Sequence, residues 1–360
     1  MTKLERKIAK LHNRKYCTLV GNGTTAIYLS LLSQGFKNRT VAIPNNVCMN
    51  VILPIYFSGN IPLFIDIEKE TLGIDVEHLN GKNIDSIISV HSYGNVCGIG
   101  YIESYCNDNN IFLIEDAAVA QGMYFENQVL GSFGSVSILS FGSGKNIDVK
   151  HGGAILTNSE SIHGNIKVNL ADLGKYSASK ENKIGSISKK HTKLYNIDYG
   201  KSINKYADEF KKLCLDNKNY FLYQFDNNFK DNLSKQLDKL NNFIEIRKEN
   251  SNYLKNRLEN KTGVIILEPK YGSSYWRFNI FVENHRDGLF RYLLKKKYKV
   301  SSWYHSVDLL FEKREHKTTP ISDWVGENII NIWTNEDIDK VYLENISDDI
   351  IRFLKDKNVK

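Results

Sequence analysis

The sequence predicts an α/β protein whose large first domain carries a mostly parallel, seven-stranded sheet and whose second domain is a smaller α+β unit. Short β-branched or aromatic runs alternate with helical patterns from residue 1 to about residue 158, which is typical of βαβ units. A strong helical pattern starts at Leu233 and is followed by new strand-like and helical segments. We therefore predict a large domain over residues 1–220, and a linking helix with a small domain over residues 221–360.

Seven segments predict the strands of the main sheet, because each is a short apolar run between turn residues. They are Cys17–Val20, Val41–Ile43, Leu63–Asp66, Ser86–His91, Ile111–Glu115, Ser137–Phe141 and Gly153–Thr157. Several of them end in a polar or acidic residue. Ligands collect at the carboxyl edge of parallel sheets, so this edge is the predicted site.

The later segments differ in how clearly they predict structure. Residues 159–220 are rich in Lys, Ser, Asn and Tyr with little periodicity, which predicts long surface connections and one helix near Ile203–Leu215. The periodicity of Leu233–Leu258 predicts the linking helix. In the small domain, Trp276–Val282 predicts a strand and Arg286–Lys297 predicts a helix.

Composition narrows the classes of function. Apolar residues make up 41% and charged residues 25% of the 360 residues, as in a folded globular protein. The net charge of +7 suits an anionic substrate, but no concentrated stripe predicts nucleic-acid binding. Five scattered cysteines without a CxxC pair favour a reducing, cytoplasmic compartment and argue against disulfides and a metal site. We expect no secretory signal and no membrane segment.

A glycine-rich turn after the first strand predicts a site for an anion. Gly21-Asn-Gly23-Thr24-Thr25-Ala26 opens a helix, where free N–H groups and the helix dipole converge. A dinucleotide, a single phosphate and a plain capped helix all remain open for this segment. No acid follows the next strand to hold a ribose, and the two threonines supply hydroxyls that a pyrophosphate loop does not need.

Two further segments carry candidate catalytic groups. Ile111–Glu115 is followed by Asp116, which could cap a helix or hold a ligand. Lys145 follows a strand and is set among Gly142, Ser143, Gly144 and Asn146. Pyridoxal phosphate (PLP) requires an amine that can be neutral, a carboxylate that keeps the pyridine nitrogen protonated, and donors for the phosphate. The combination favours PLP chemistry over a surface lysine and a helix cap.

Taken in order, these motifs resemble the DegT/DnrJ/EryC1/StrS sugar aminotransferases, which are PLP enzymes of fold type I. The resemblance covers residues 4–158 and continues in the linking helix around Arg247. The segments that carry it are Gly23-Thr24-Thr25-Ala26, Ile43-Pro44, Pro62-Leu-Phe-Ile-Asp66, Val90-His91-Ser-Tyr93-Gly94, Glu115-Asp116-Ala117-Ala118, Gly131-Ser132-Phe133-Gly134, Ser140-Phe141-(x)3-Lys145-Asn146 and Gly152-Gly153-Ala154.

The resemblance implies roles for these residues. Lys145 would hold PLP as a Schiff base, Asp116 would pair with the ring nitrogen, and the phosphate would bind at Gly23, Thr24, Thr25 and Ser140. It also implies a homodimer with shared active sites. The implied substrates are glutamate and a nucleotide-linked keto sugar, used in the synthesis of surface glycans or deoxyamino sugars.

Several positions depart from the family pattern. Cys48 falls where the family stacks an aromatic ring on the cofactor, and Val119 replaces the usual polar neighbour of the cofactor hydroxyl. His151 stands where an acid commonly precedes the glycine pair, and is a candidate substrate residue. Tyr304 and His305 lie where the family closes its sugar site, although an aromatic core would also explain them.

The leading hypothesis is amino transfer from glutamate to a 4-keto-6-deoxyhexose on dTDP or UDP. A sugar dehydratase of the same family would carry His in place of Lys145, so the sequence disfavours it. A nicotinamide dehydrogenase would rest on Gly21–Ala26 alone. A non-catalytic descendant used for binding or regulation is compatible with Cys48 and Val119.

Overall fold

The computed structural model describes residues 1–195, 204–314, 316 and 318–358. The strands before residue 160 are β1 (Tyr16–Val20), β2 (Thr40–Pro44), β3 (Ile61–Ile65), β4 (Ser86–Val90), β5 (Phe112–Asp116), β6 (Tyr124–Phe125), β7 (Gln128–Val129), β8 (Val136–Ser140) and β9 (Gly153–Thr157). β6 and β7 form a small hairpin of their own. The other seven build one sheet in the order β1-β9-β8-β5-β4-β2-β3.

The main sheet is parallel except for β9. This strand is antiparallel to both of its neighbours, β1 and β8, while β8, β5, β4, β2 and β3 run parallel to one another. In the β8–β9 register, Ser140 lies opposite Gly153. The predicted fold class is confirmed, and each of the seven predicted strands overlaps an observed one.

Helices cover both faces of this sheet. The helices up to residue 237 are α1 (Lys3–Leu11), α2 (Gly23–Leu32), α3 (Met49–Phe57), α4 (Ile99–Asp108), α5 (Glu160–Ala171), α6 (Ala178–Tyr195), α7 (Ala207–Asp216), α8 (Lys218–Phe221) and α9 (Lys230–Leu237). One core packs α2, α3 and α7 against Ile114 and Ile138, and the other packs α1, α4 and α9 against Leu113 and Leu139. Adjacent strand residues thus face opposite cores, which is why the strands are apolar throughout.

The segment after the sheet contains more helix than the sequence predicts. α5 and α6 occupy much of the region for which surface connections were predicted, so that prediction was wrong. The signal was weak because α5 buries only Ile166 and leaves no apolar stripe to recognise. The helix predicted near Ile203–Leu215 corresponds to α7, and residue 203 itself lies outside the described residues.

The C-terminal part forms a second layer of structure. Its elements are α10 (Leu240–Leu258), β10 (Phe278–Phe281), α11 (Arg286–Lys295), β11 (Val300–Ser301), α12 (Pro320–Asn328), β12 (Ile329–Ile332) and α13 (Lys340–Asn358). The three strands form an antiparallel sheet in the order β10-β12-β11, packed with α10, α11 and α13. This is the α+β unit that the sequence predicts, while the boundary at residue 220 stays a prediction.

The predicted linking helix is divided into α9 and α10 at Asp238 and Lys239. The two pieces bury their apolar side chains in different cores: Leu233 and Leu237 pack beneath the main sheet, whereas Leu254 and Leu258 pack in the C-terminal unit. Two cores in different places favour a break in the helix over one continuous stripe. Within the described residues, no helix is both long and apolar enough to cross a bilayer.

Candidate active site

The N-terminus of α2 offers a group of donors for an anion. Asn22 caps this helix by accepting a hydrogen bond from the Thr25 N–H at 2.7 Å. The N–H groups of Gly23 and Thr24 have no partner within the helix, as is usual in a first turn. The side chain of Ser140 lies beside Gly23, with its Oγ 3.6 Å from where a Cβ on Gly23 would stand. Two N–H groups and the hydroxyls of Thr24 and Ser140 therefore fit one phosphate.

Gly153, the first residue of β9, packs closely against the backbone of this turn. A Cβ at Gly153 would lie 2.7 Å from the carbonyl carbon of Asn22 and 3.0 Å from the nitrogen of Gly23. Only glycine leaves room for so close an approach of two backbone segments. The first residue of β9 is thus packed directly against the phosphate turn.

The Thr25 hydroxyl is engaged by backbone groups at the end of α8 and in the segment after it. Its hydroxyl donates to the carbonyl of Phe221 at 3.3 Å and accepts from the Tyr223 N–H at 3.3 Å. With the hydroxyl engaged by both bonds, Thr25 fastens the segment after α8 to the base of α2. The phosphate-binding roles expected of Gly23, Thr24, Thr25 and Ser140 stay predictions, and these two bonds leave the Thr25 hydroxyl no proton to donate to a phosphate.

Asp116 is the last residue of β5 and is buried. Its Oδ1 accepts a hydrogen bond from the Ala118 N–H at 2.9 Å. Burial raises the pKa of Asp116, while the Ala118 N–H and the positive charge of Lys145 oppose the increase. Because burial disfavours the charged form of this carboxyl, a cationic partner such as a protonated ring nitrogen would stabilise the carboxylate.

Lys145 lies on the loop that follows β8. The loop turns at Gly144, which has a φ of +78°, and the Lys145 N–H donates to the Gly142 carbonyl at 3.2 Å. The Lys145 Nζ lies 6.0 Å from the centre of the Trp276 ring. Its charge acts on the carboxyl of Asp116 and on the thiol of Cys48, so these three groups lie near one another.

Cys48 and Tyr304 line the same site. Burial raises the pKa of the Cys48 thiol, and the charge of Lys145 and a hydrogen bond with Tyr304 oppose the increase. The Tyr304 N–H donates to the hydroxyl of Tyr93 at 3.0 Å. Tyr304 thereby joins the C-terminal unit to the turn that follows β4, while its role in closing the site stays a prediction.

The other predicted site residues lie in different surroundings. Val119 is buried, and its carbonyl accepts from Asn146 Nδ2 at 3.1 Å. His305 contacts the Gly326 carbonyl through Nδ1 at 3.1 Å. His151 packs in an aromatic cluster and accepts the Asp226 N–H at 2.9 Å. None of the described contacts of His151 involves Lys145 or Asp116, so its substrate role stays a prediction.

Trp276 and Arg277 belong to the site although the sequence predicts only a strand there. The Trp276 Nε1–H donates to the Gly144 carbonyl at 2.5 Å, and Arg277 Nη2 is 3.4 Å from the position of a Cβ on Gly144. A Trp-Arg pair directly before a strand was the available signal. Its meaning depends on the loop of Lys145, which is distant in sequence.

A buried hydrogen-bond network supports the end of β5. The Glu115 carboxylate accepts the N–H groups of Gly131 at 2.7 Å and Phe133 at 2.9 Å, and contacts His91 Nε2 at 3.3 Å. His91 Nδ1 accepts the Cys97 N–H at 3.2 Å, so the ring proton is on Nε2 and points to Glu115. Burial alone would raise the pKa of Glu115, but these hydrogen bonds outweigh it and lower the pKa.

Replacing Glu115 with glutamine should lower the free energy of unfolding by about 3 kcal/mol, because a carboxamide NH₂ would face a backbone N–H that the carboxylate accepts. Chemical denaturation measures this change. The lowered pKa means that this stabilisation exists above the unfolded pKa of about 4.3 and disappears as the pH falls through the folded value. The difference between wild type and variant should therefore shrink in acid. Glu245→Gln, on the exposed face of α10, is the matched control, and an equal effect there would contradict the interpretation.

The fold and the Lys145–Asp116 site define a PLP-dependent transferase of fold type I. The chain belongs to the DegT/DnrJ/EryC1/StrS aminotransferase family, whose model matches residues 1–199. Among solved structures, an aminotransferase of this family from Brucella abortus has a TM-score of 0.76 at 20% identity, covering 98% of this chain and 89% of that one. DesI with its TDP-sugar product has a TM-score of 0.78 at 15% identity, covering 99% and 87%. These likenesses show the fold.

Several curated relatives have names that describe enzymes acting on nucleotide sugars. GDP-perosamine synthase of Escherichia coli O157:H7 is 32% identical over 165 residues, which cover 45% of this chain and 45% of that protein. The dTDP-4-amino-4,6-dideoxy-D-glucose transaminase of Shigella dysenteriae is 26% identical over 300 residues, covering 81% and 72%. Over the matched part, the chain spans about half the length of the first of these relatives.

PLP is the cofactor of this family, and the described residues fit it. The turn at Gly23 supplies phosphate donors beside Ser140. Asp116 supplies a buried acid for the ring nitrogen and Lys145 supplies an amine that faces the same site. The charges of both groups act on the Cys48 thiol, which therefore lies near them. The donor set is thus complete for a phosphate, a pyridine nitrogen and an aldehyde.

Proposed function

We propose that the chain is a PLP-dependent aminotransferase that moves an amino group from glutamate to a nucleotide-linked keto sugar. The observation that carries this proposal is the placement of Lys145 and Asp116. The charge of the amine acts on the buried carboxyl, although Asp116 ends β5 and Lys145 lies on the loop after the neighbouring strand β8. Family membership supports the reaction class.

The residues of the chain have distinct tasks in this reaction. PLP, when bound, supplies an electron sink for the carbanion that forms at the donor's α-carbon. The Lys145 amine accepts the α-proton of the donor and moves it within the site. Asp116 holds the proton of the ring nitrogen. The N–H groups of Gly23 and Thr24, with Ser140, bind the phosphate and orient the ring, while Tyr304 and Trp276 limit the access of water.

We propose a 4-keto-6-deoxyhexose as the acceptor, carried by dTDP, UDP or GDP. The names of the relatives support this class of acceptor, since they include both a GDP-sugar synthase and a dTDP-sugar transaminase. A dehydratase is the second candidate, because GDP-4-keto-6-deoxy-D-mannose 3-dehydratase from Escherichia coli O55:H7 is 25% identical over 289 residues. Lys145 favours transfer, since the dehydratase reaction of this family uses histidine in its place.

A panel of acceptors tests the proposal. The PLP-loaded protein is given glutamate and each of the dTDP-, UDP- and GDP-4-keto-6-deoxyhexoses, and the products are identified by mass spectrometry. We expect an amino sugar with one of the three nucleotides and a matching amount of 2-oxoglutarate. A deoxygenated sugar with release of ammonia would instead identify a dehydratase. We also propose that the protein acts in the cytoplasm as a homodimer, and light scattering of the same sample should then give twice the mass of the chain.

A further inference from the structure

Arg277 is a buried cation whose surroundings leave most of its donors unused. It is 5% exposed, and its guanidinium carbon lies 4.4 Å from the centre of the Trp276 ring and 3.9 Å from that of Trp333. Within the described residues it makes one hydrogen bond, from Nη1 to the Trp276 carbonyl at 2.6 Å, and no ion pair. Its Nε is buried without a partner. An unpaired guanidinium in a buried position is costly, so a bound anion would relieve it.

A second buried arginine lies beside Arg277 and adds to the positive charge that a bound anion would offset. Arg247, on α10, is 3% exposed and donates to the same Trp276 carbonyl at 3.4 Å, so the two guanidinium groups lie side by side. Its Nε is also buried without a partner. The nearest acid is Glu336, 3.5 Å from Arg247 and 37% exposed, and it does not reach Arg277. Among the described residues, Glu336 pairs with Arg247 and no acid pairs with Arg277, although the charges of Asp148 and Asp337 also act on this pair of arginines.

Arg277 remains charged at neutral pH. Burial, and then repulsion from Arg247, lower its pKa to about 9, while Tyr304, Asp148 and Glu336 act in the opposite direction from a distance. A carboxylate on Arg277 would offset both unfavourable effects. The influence of Tyr304 also places Arg277 near the wall of the site that contains Cys48 and Lys145.

Arg277 and Lys145 lie against the same indole ring, that of Trp276. The Lys145 Nζ and the Arg277 guanidinium lie 6.0 and 4.4 Å from the centre of one indole ring, that of Trp276. In an amino acid, the carboxylate carbon is two bonds from the nitrogen, so a paired guanidinium carbon stands about 6–7 Å from that nitrogen. The diphosphate of a nucleotide sugar is separated from a reacting C4 by the sugar ring. Because both cations lie against one indole, a carboxylate on the reacting carbon is near enough to pair with Arg277 while the amino nitrogen is at Lys145.

We propose that Arg277, aided by the adjacent charge of Arg247, binds the α-carboxylate of the amino donor. This inference rests on the proposed amino transfer, and it names the donor's binding site. The planar guanidinium would hold the carboxylate through two parallel hydrogen bonds. Trp276 and Trp333 keep the guanidinium in place, and the bond from Trp276 to Gly144 ties that position to the loop of Lys145.

Paired donors test the proposal. Wild type and Arg277→Met are loaded with PLP, and conversion of the cofactor by glutamate or by isoglutamine, its α-carboxamide, is followed by absorbance. We expect Arg277→Met to raise the half-saturating glutamate concentration about 10- to 100-fold, with little change for isoglutamine. An unaltered response to glutamate, or an equal loss with both donors, would overturn the proposal. Lys255→Met is the control, because its amine pairs with Glu268 at 2.9 Å and its side chain is partly exposed.

A second variant and a binding measurement cover the remaining outcomes. Arg277→Lys keeps the charge and loses the paired geometry, so it should show a smaller loss that is again confined to glutamate. If Arg277→Met does not fold, the response of Arg277→Lys to the two donors tests the proposal instead. Calorimetry with glutarate, which cannot react, should show weaker binding to the Arg277 variants than to Lys255→Met, and equal affinity would also overturn the proposal. A wild type that binds glutarate but is not converted by glutamate would instead refute the proposed amino transfer.

Discussion

Replacing Lys145 with alanine should reduce amino transfer about 10³- to 10⁴-fold, because the amine that moves the α-proton is removed. The variant should also lose its covalent link to PLP. Borohydride reduction of the loaded wild type, followed by peptide mass spectrometry, should place the cofactor's mass on the peptide with Lys145. The same treatment of Lys145→Ala should leave every peptide unlabelled.

The control for this prediction is Lys150→Ala. Lys150 is exposed and follows Lys145 on the same loop, where its N–H donates to Asp148 at 3.0 Å. Its side chain is not part of the site, so its replacement should leave both the label and the activity in place. Persistence of a labelled peptide in Lys145→Ala would contradict the assignment of the reactive amine.

Replacing Asp116 with asparagine should reduce amino transfer about 10²- to 10³-fold while the covalent link to Lys145 persists. The amide keeps the shape of the side chain and can still accept the Ala118 N–H, but it carries no charge to hold a proton on the ring nitrogen. The electron sink is then weaker, although the amine is intact. Single-turnover conversion with glutamate, followed by absorbance, measures this loss.

Asp172→Asn is the matched control for the carboxylate, since Asp172 is exposed at the end of α5. It should convert at the wild-type rate. The comparison with Lys145→Ala is also informative, because Asp116→Asn should lose rate without losing the label. Wild-type conversion by Asp116→Asn would show that another group protonates the ring.

The parts of this structure that could be predicted from sequence depend on local patterns. The strands of the main sheet are short apolar runs between turns, because both faces of the sheet are buried. Asp116 and Lys145 stand out because a parallel sheet brings the ends of its strands to one edge. The residues that local patterns could not predict depend on distant partners. The Thr25 hydroxyl is engaged by Phe221 and Tyr223, and Arg277 reaches the site through Trp276.

The helices after the sheet illustrate another limit. α5 packs through few apolar side chains, so its pattern resembles that of a surface connection. The division between α9 and α10 follows from two separate cores, which no single helical stripe reveals. Periodicity identifies which face of an element is buried, but it does not identify the body against which that face is buried.

The reversed direction of β9 has a mechanical consequence for the cofactor. Since Ser140 and Gly153 pair across the two strands, the segment with Lys145 is a closed hairpin whose base is the phosphate turn. The turn proposed to bind the phosphate and the loop of Lys145 are therefore both held in place by the Ser140–Gly153 pair. A shift at the base of the hairpin would therefore move the turn at Gly23 and the loop of Lys145 together.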